Sequence, residues 1–199
     1  MVGNWVQMDE AEDVAGSIRH VLRAATFVND DPLTWKWVVL TLHSALQGAC
    51  VCHLTTTTAP VGAVTERNAS EWLTYFEASP TNPNLRPPKT HLKGLPDLLL
   101  AVRSSNSACD NSYTAGVEIS ESELNWLGHF HKNMRNQFVH FEPMGWSIEV
   151  SGIPEIAKVV ARIIGEILQI KWASRHQDTV QREEMQRNLR VLASIEWPV

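Results

Sequence analysis

Trp35-Lys36-Trp37-Val38-Val39-Leu40-Thr41-Leu42-His43-Ser44-Ala45-Leu46-Gln47-Gly48-Ala49-Cys50-Val51-Cys52-His53-Leu54 is the stretch that decides the fold. A helix drawn through it is apolar almost all the way round, and such a helix belongs in the middle of a core. Asn29-Asp30-Asp31-Pro32 supplies a cap and a helix-starting proline just ahead of it. The small residues Ser44, Ala45, Gly48 and Ala49 let a neighbour approach closely, and Ser44 and Gly48, one turn apart, share a row.

Other helical patterns surround this one. Val14, Ile18, Val21, Leu22 and Ala25 recur at helical spacing within Asp9 to Phe27, with acids at the N-terminal end where the helix dipole favours them. Shorter helices are predicted over Ala69 to Glu77 and Leu95 to Arg103. Ser120 and Glu123 form a capping box that opens a further helix with Leu124, Leu127, His131, Met134, Phe138 and Phe141 as its buried stripe. Trp146, Ile148 and Val150 alternate like a short extended segment. Gly152-Ile153-Pro154 then turns into an apolar helix ending near Trp172. A more polar helix from Gln177 to Leu192 is expected at the periphery. Thr55 to Thr65 and the proline-rich stretch within 79–94 read as loops, the latter either packed on the surface by its prolines or acting as a lid. The expectation is an all-α single domain over residues 1–199, with a four-helix-bundle-like, up-down core, extra short helices and long loops.

Composition narrows the function classes. A chain of 199 residues with 44% hydrophobic and 20% charged content can bury one substantial core. Its three cysteines, Cys50, Cys52 and Cys109, fit neither a disulfide framework nor a zinc ribbon, and point to a reduced, cytoplasmic setting. The start of the chain is acidic and lacks the features of a signal peptide, and no apolar stretch is expected to cross a bilayer. The sequon Asn68-Ala69-Ser70 is discounted on the same ground. A formal charge of −5 argues against coating nucleic acid by bulk electrostatics and leaves room for a local basic site.

The chemistry concentrates in Arg135-Asn136-Gln137-Phe138-Val139-His140. Arginine keeps its charge at any ordinary pH and its fork of donors matches phosphate oxygens, whereas histidine titrates near neutrality and moves protons. Asparagine can orient either one. At about 100° per residue, Asn136 and His140 share a face opposite Phe138, while Arg135 lies on the flank. His140 is therefore either a general acid or base or a surface histidine held by the helix dipole. Arg135 either stabilises phosphate charge or pairs with Glu142. Asn136 either holds the imidazole or caps the helix end. His131 reads as a core histidine, and Lys132 as a solvated lysine or a phosphate contact. His129 and His131 point about 200° apart and cannot grip one ion, so no metal site is expected. Most tryptophans, among them Trp35, Trp126 and Trp172, read as core, with Trp146 the one placed nearest a ligand. No Gly-rich phosphate loop, nucleophile elbow or His-Glu-x-x-His motif occurs, and no cofactor is called for.

An arginine, a polar residue directly after it and a histidine a few residues on resemble the signature of the HEPN superfamily of helical domains. The resemblance extends to Leu124-Asn125-Trp126-Leu127, to Phe141-Glu142-Pro143, and to the apolar helix around Trp35-Lys36-Trp37 and Ala45-Leu46-Gln47-Gly48. It implies a metal-independent endoribonuclease with Arg135, Asn136 and His140 as catalytic residues at a homodimer interface, acting on RNA, and a toxin or defence role with an antitoxin protein as partner. The superfamily also includes modules that only bind RNA, nucleotide or a partner protein, and the acidic total charge fits that alternative. A wall-less outward helix face independently calls for a second copy to close it.

Overall fold

A computed structural model describes residues 5, 8–56, 61–108, 114–140, 145–170 and 172–198. The fold is all-α, and apart from an isolated antiparallel bridge between Val64 and Leu92 no strand pairing occurs among the described residues.

Local chemistry starts each helix. Helix α1 (Glu10–Ala25) begins at Asp9, whose Oδ1 accepts from the Glu12 N–H at 2.8 Å, with Glu10, Glu12 and Asp13 in its first turn. A 3-10 turn over Pro32–Thr34 is capped by Asp31 and leads into α2 (Trp35–Leu54), which buries Val38, Val39, Leu42, Ala45 and Leu46 completely. A Cβ at Gly48 would stand 2.8 Å from Val14 Cγ2, so this glycine lets α1 pack closely on α2. Helix α3 (Glu66–Ala78) starts one turn earlier than its apolar residues indicate, because Thr65 caps it through Asn68 N–H. Helix α4 (Leu95–Arg103) follows, then α5 (Glu121–His129), opened by the Ser120–Glu123 capping box.

The helix that carries the motif is not uniform. After α5 the backbone widens into a π turn over Phe130–Arg135, in which Asn136 N–H reaches back to His131 O, and a short α6 (Asn136–Val139) completes it. A π turn holds an extra residue, so the two ends of the helix are rotated by about 100° from an uninterrupted register. The inward stripe changes accordingly. Leu127, Phe130 and Met134 are buried, whereas His131, expected on the stripe, is only half-buried. Trp126 is 53% exposed on the outer side, which corrects its assignment to the core. Phe141, Glu142 and Pro143 lie outside the described residues, as does Cys109.

Helix α7 (Ile153–Gln169) ends before Trp172, and α8 (Thr179–Ser194) follows it. Helix α1 packs along α2, α2 against α7, α7 against α8, and α8 back onto α1, while α4 and the motif helix cover α2 from another side. Although α8 is mostly polar and was expected at the periphery, it buries Met185, Leu189 and Leu192 in this arrangement. Helix α2 has the length and apolarity of a membrane span when Pro32 is included, contrary to the sequence expectation; 67% of that window is buried within the protein, as befits a core helix.

Two connecting segments are pinned by specific contacts. Asn68 is 1% exposed, donating to Lys89 O and accepting from His91 N–H at 2.8 Å each, so the sequon's amide is occupied and the proline-rich segment is tied down at its far end. Gly116 runs so close to the end of α4 that a Cβ there would lie 2.0 Å from Arg103 O. Val117 N–H then bonds to Val102 O, which sets the approach to the motif helix.

Candidate active site on the motif helix

Arg135 comes at the end of the π turn and is half-buried. Its Nη1 donates to Asn136 Oδ1 at 2.9 Å, so the amide carbonyl holds one arm of the guanidinium. No carboxylate among the described residues is within ion-pair distance of it. Arg135 lines an open cleft of about 780 Å³, of the size that takes small ligands. One wall is α2, through His43, Ser44 and Gln47; the other is the start of α1, with Asp9, Glu10 and Asp13. One arginine and three acidic residues therefore line the same cleft.

His140 is the C-terminal cap of α6. Its N–H still closes the last turn onto Asn136 O at 2.8 Å, while its ψ of 95° turns the chain away from the helix. The side chain is exposed and has no hydrogen-bond partner among the described residues. Asn136 and His140 line neither this cleft nor the one on the opposite side of the helix. Within one chain, then, the Arg135 and Asn136 side chains are brought together, and the His140 side chain stands at the helix end without a hydrogen bond to either.

A pair of imidazoles beneath Arg135 was not foreseen. His43 of α2 is 3% exposed, and its Nε2 is 2.8 Å from His131 Nδ1 on the π turn, with the rings stacked 5.0 Å apart. One ring donates and the other accepts, so the pair is satisfied when both are neutral. Burial, the Arg135 charge and His131 push the His43 pKa down to about 3. Burial and then Arg135 and Lys132 also lower that of His131. The pair joins α2 to the helix segment that carries Arg135. The signal in the sequence was a histidine inside an otherwise apolar helix; its partner, 88 positions away, was not legible.

Across the motif helix lies a second cleft of about 620 Å³. Trp126, His129, Asn133 and Gln137 of the motif helix form one side, with Ser147, Glu149 and Ser151 opposite. Asn133 Nδ2 is 3.0 Å from His129 Nδ1. Trp146 meets Phe138 edge to face at 4.9 Å, so it packs as a cover on the motif helix.

Elsewhere, His53 is fully buried and bonds Ser107 Oγ at 2.8 Å, but the serine hydroxyl donates to Val102 O and is not available as a nucleophile. Cys50 and Cys52 are buried free thiols whose pKa burial pushes up to about 12, so they act as small apolar groups. Among the described residues no cluster of three or more histidine, cysteine or acidic side chains is placed to hold a metal ion. Comparison with protein-family models, curated proteins and solved structures finds no match to this chain.

Proposed function

We propose that this chain is a HEPN-type, metal-independent endoribonuclease that works as a homodimer. The observation that carries the reading is the Arg135–Asn136 pair: a guanidinium held by its neighbour's amide, free of carboxylate partners among the described residues, and facing an open cleft, one turn from an exposed histidine. In this reading His140 takes the proton of an RNA 2′-hydroxyl, whose oxygen attacks the adjacent phosphorus. The bond from phosphorus to the 5′-oxygen breaks and that oxygen receives a proton, leaving a 2′,3′-cyclic phosphate and a 5′-hydroxyl. Arg135 stabilises the charge that develops on the phosphoryl oxygens, and Asn136 keeps it aimed. A second copy across the motif face covers the exposed His140 and supplies a second arginine. DNA is inert because it lacks the attacking hydroxyl.

A non-catalytic binding module is the second reading, favoured by the carboxylates of Asp9, Glu10 and Asp13 across the cleft from Arg135, which oppose a phosphate chain. Cleavage of a mixed-sequence RNA in EDTA separates the two. The ribonuclease gives cyclic-phosphate ends that disappear in both His140→Ala and Arg135→Ala. An intact dimeric protein that leaves several RNAs uncut refutes it in favour of the binding module.

A further inference from the structure

The second cleft has the wrong charge for phosphate and the right groups for a base. No lysine or arginine lines it, and Glu149 does, so a phosphate is repelled. Its motif-helix side is a row at helical spacing: Trp126, His129, Asn133 and Gln137. Trp126 is 53% exposed, an area of aromatic face that a core tryptophan does not leave in water. The two amides each offer a donor and an acceptor in one plane, the complement of adenine's N6 amino group and N7. Asn133 donates to His129 Nδ1, which leaves the proton of a neutral His129 on Nε2 as a further donor and the Asn133 carbonyl as an acceptor. Gln137, which lies within the motif, is the last residue of this row.

We infer that this cleft is a base-reading subsite for single-stranded RNA, in which Trp126 stacks on an unpaired base and Asn133 with Gln137 reads the edge of an adenine. Stacking on an exposed aromatic ring supplies affinity for any base, and the paired amides supply the preference. The inference rests on RNA as the ligand of the motif helix and deepens that reading by naming the base that the cleft across the helix from Arg135 takes.

The test uses short 2′-O-methyl oligoadenylate, oligouridylate and oligocytidylate, which lack the attacking hydroxyl, so binding is read without cleavage. Fluorescence anisotropy is measured on the full chain, wild type and Trp126→Ala, Trp126→Phe and the double variant Asn133→Ala with Gln137→Ala. These side chains are exposed or half-buried, and circular dichroism checks that each variant folds. The expected result is tightest binding of oligoadenylate, about tenfold weaker binding of every oligomer to Trp126→Ala, near-normal binding to Trp126→Phe, and loss of the adenine preference in the double variant. Equal affinity of the wild type for all three oligomers, or wild-type affinity in Trp126→Ala, overturns the inference. If RNA is cleaved while either of those results is found, the subsite alone fails. If the wild type neither binds nor cleaves RNA, the proposed ribonuclease fails with it.

Discussion

Acid should loosen this fold through His43, and the size of the effect follows from where that imidazole sits. It is buried between α2 and the π turn, bonded to His131 and close to the charge of Arg135, and its pKa falls from an ordinary 6.5 to about 3. The native state thus keeps His43 neutral where the unfolded chain would protonate it. Stability is whole above pH 6.5, falls as the pH drops below that value, and stops falling near pH 3, where both states carry the proton. Each pH unit within the window costs up to about 1.4 kcal/mol. Between pH 7.5 and 5.0 the His43 share is therefore about 2 kcal/mol, equivalent to about 4 to 8 °C in Tm for a chain of this size. His53, buried and lowered to about 4, adds a similar loss over the same interval. Urea unfolding followed by tryptophan fluorescence at the two pH values, for wild type and His43→Gln, isolates the first share. The substitution weakens the protein at both pH values by removing the His131 contact, but the pH-dependent difference should shrink by about 2 kcal/mol. Carboxylate titrations are common to both proteins and cancel. An unchanged pH dependence in His43→Gln would refute the argument that this ring is held neutral.

Cys50 and Cys52 should resist a thiol reagent at pH 8 in the folded protein and react fully in urea, as read by peptide mass spectrometry, because burial holds both thiols near 12. Gly116→Ala should destabilise the chain by about 1–3 kcal/mol in the same urea assay, since a methyl group there meets the Arg103 carbonyl and not a movable side chain. A change of under about half a kcal/mol would mean that the segment leading into α5 shifts freely.

Much of the fold was legible because its determinants are local. The capping box at Ser120 and Glu123, the acids at the start of α1, the proline before α2, the all-round apolarity of α2 and the apolar periodicity of α7 are each decided by residues near one another in the chain. Arg135, Asn136 and His140 were legible as a candidate site for the same reason, as a short run of residue types suited to phosphate chemistry. Their surroundings were not. An ideal period of 3.6 residues puts His131 on the inner stripe, but the π turn instead buries Phe130 and frees His131 to meet His43. Trp126 sits beside an apolar row in sequence yet is 53% exposed, because its side of α5 opens into the second cleft.

Sequence by itself determined that this protein is helical, where its main helices begin, and which short run is the candidate site. Tertiary structure alone decided which carboxylates share a cleft with Arg135, which histidine meets His131 and which tryptophan stays exposed. Hydrogen bonding and periodicity act between neighbours in the chain, whereas burial and charge proximity depend on which distant helices meet.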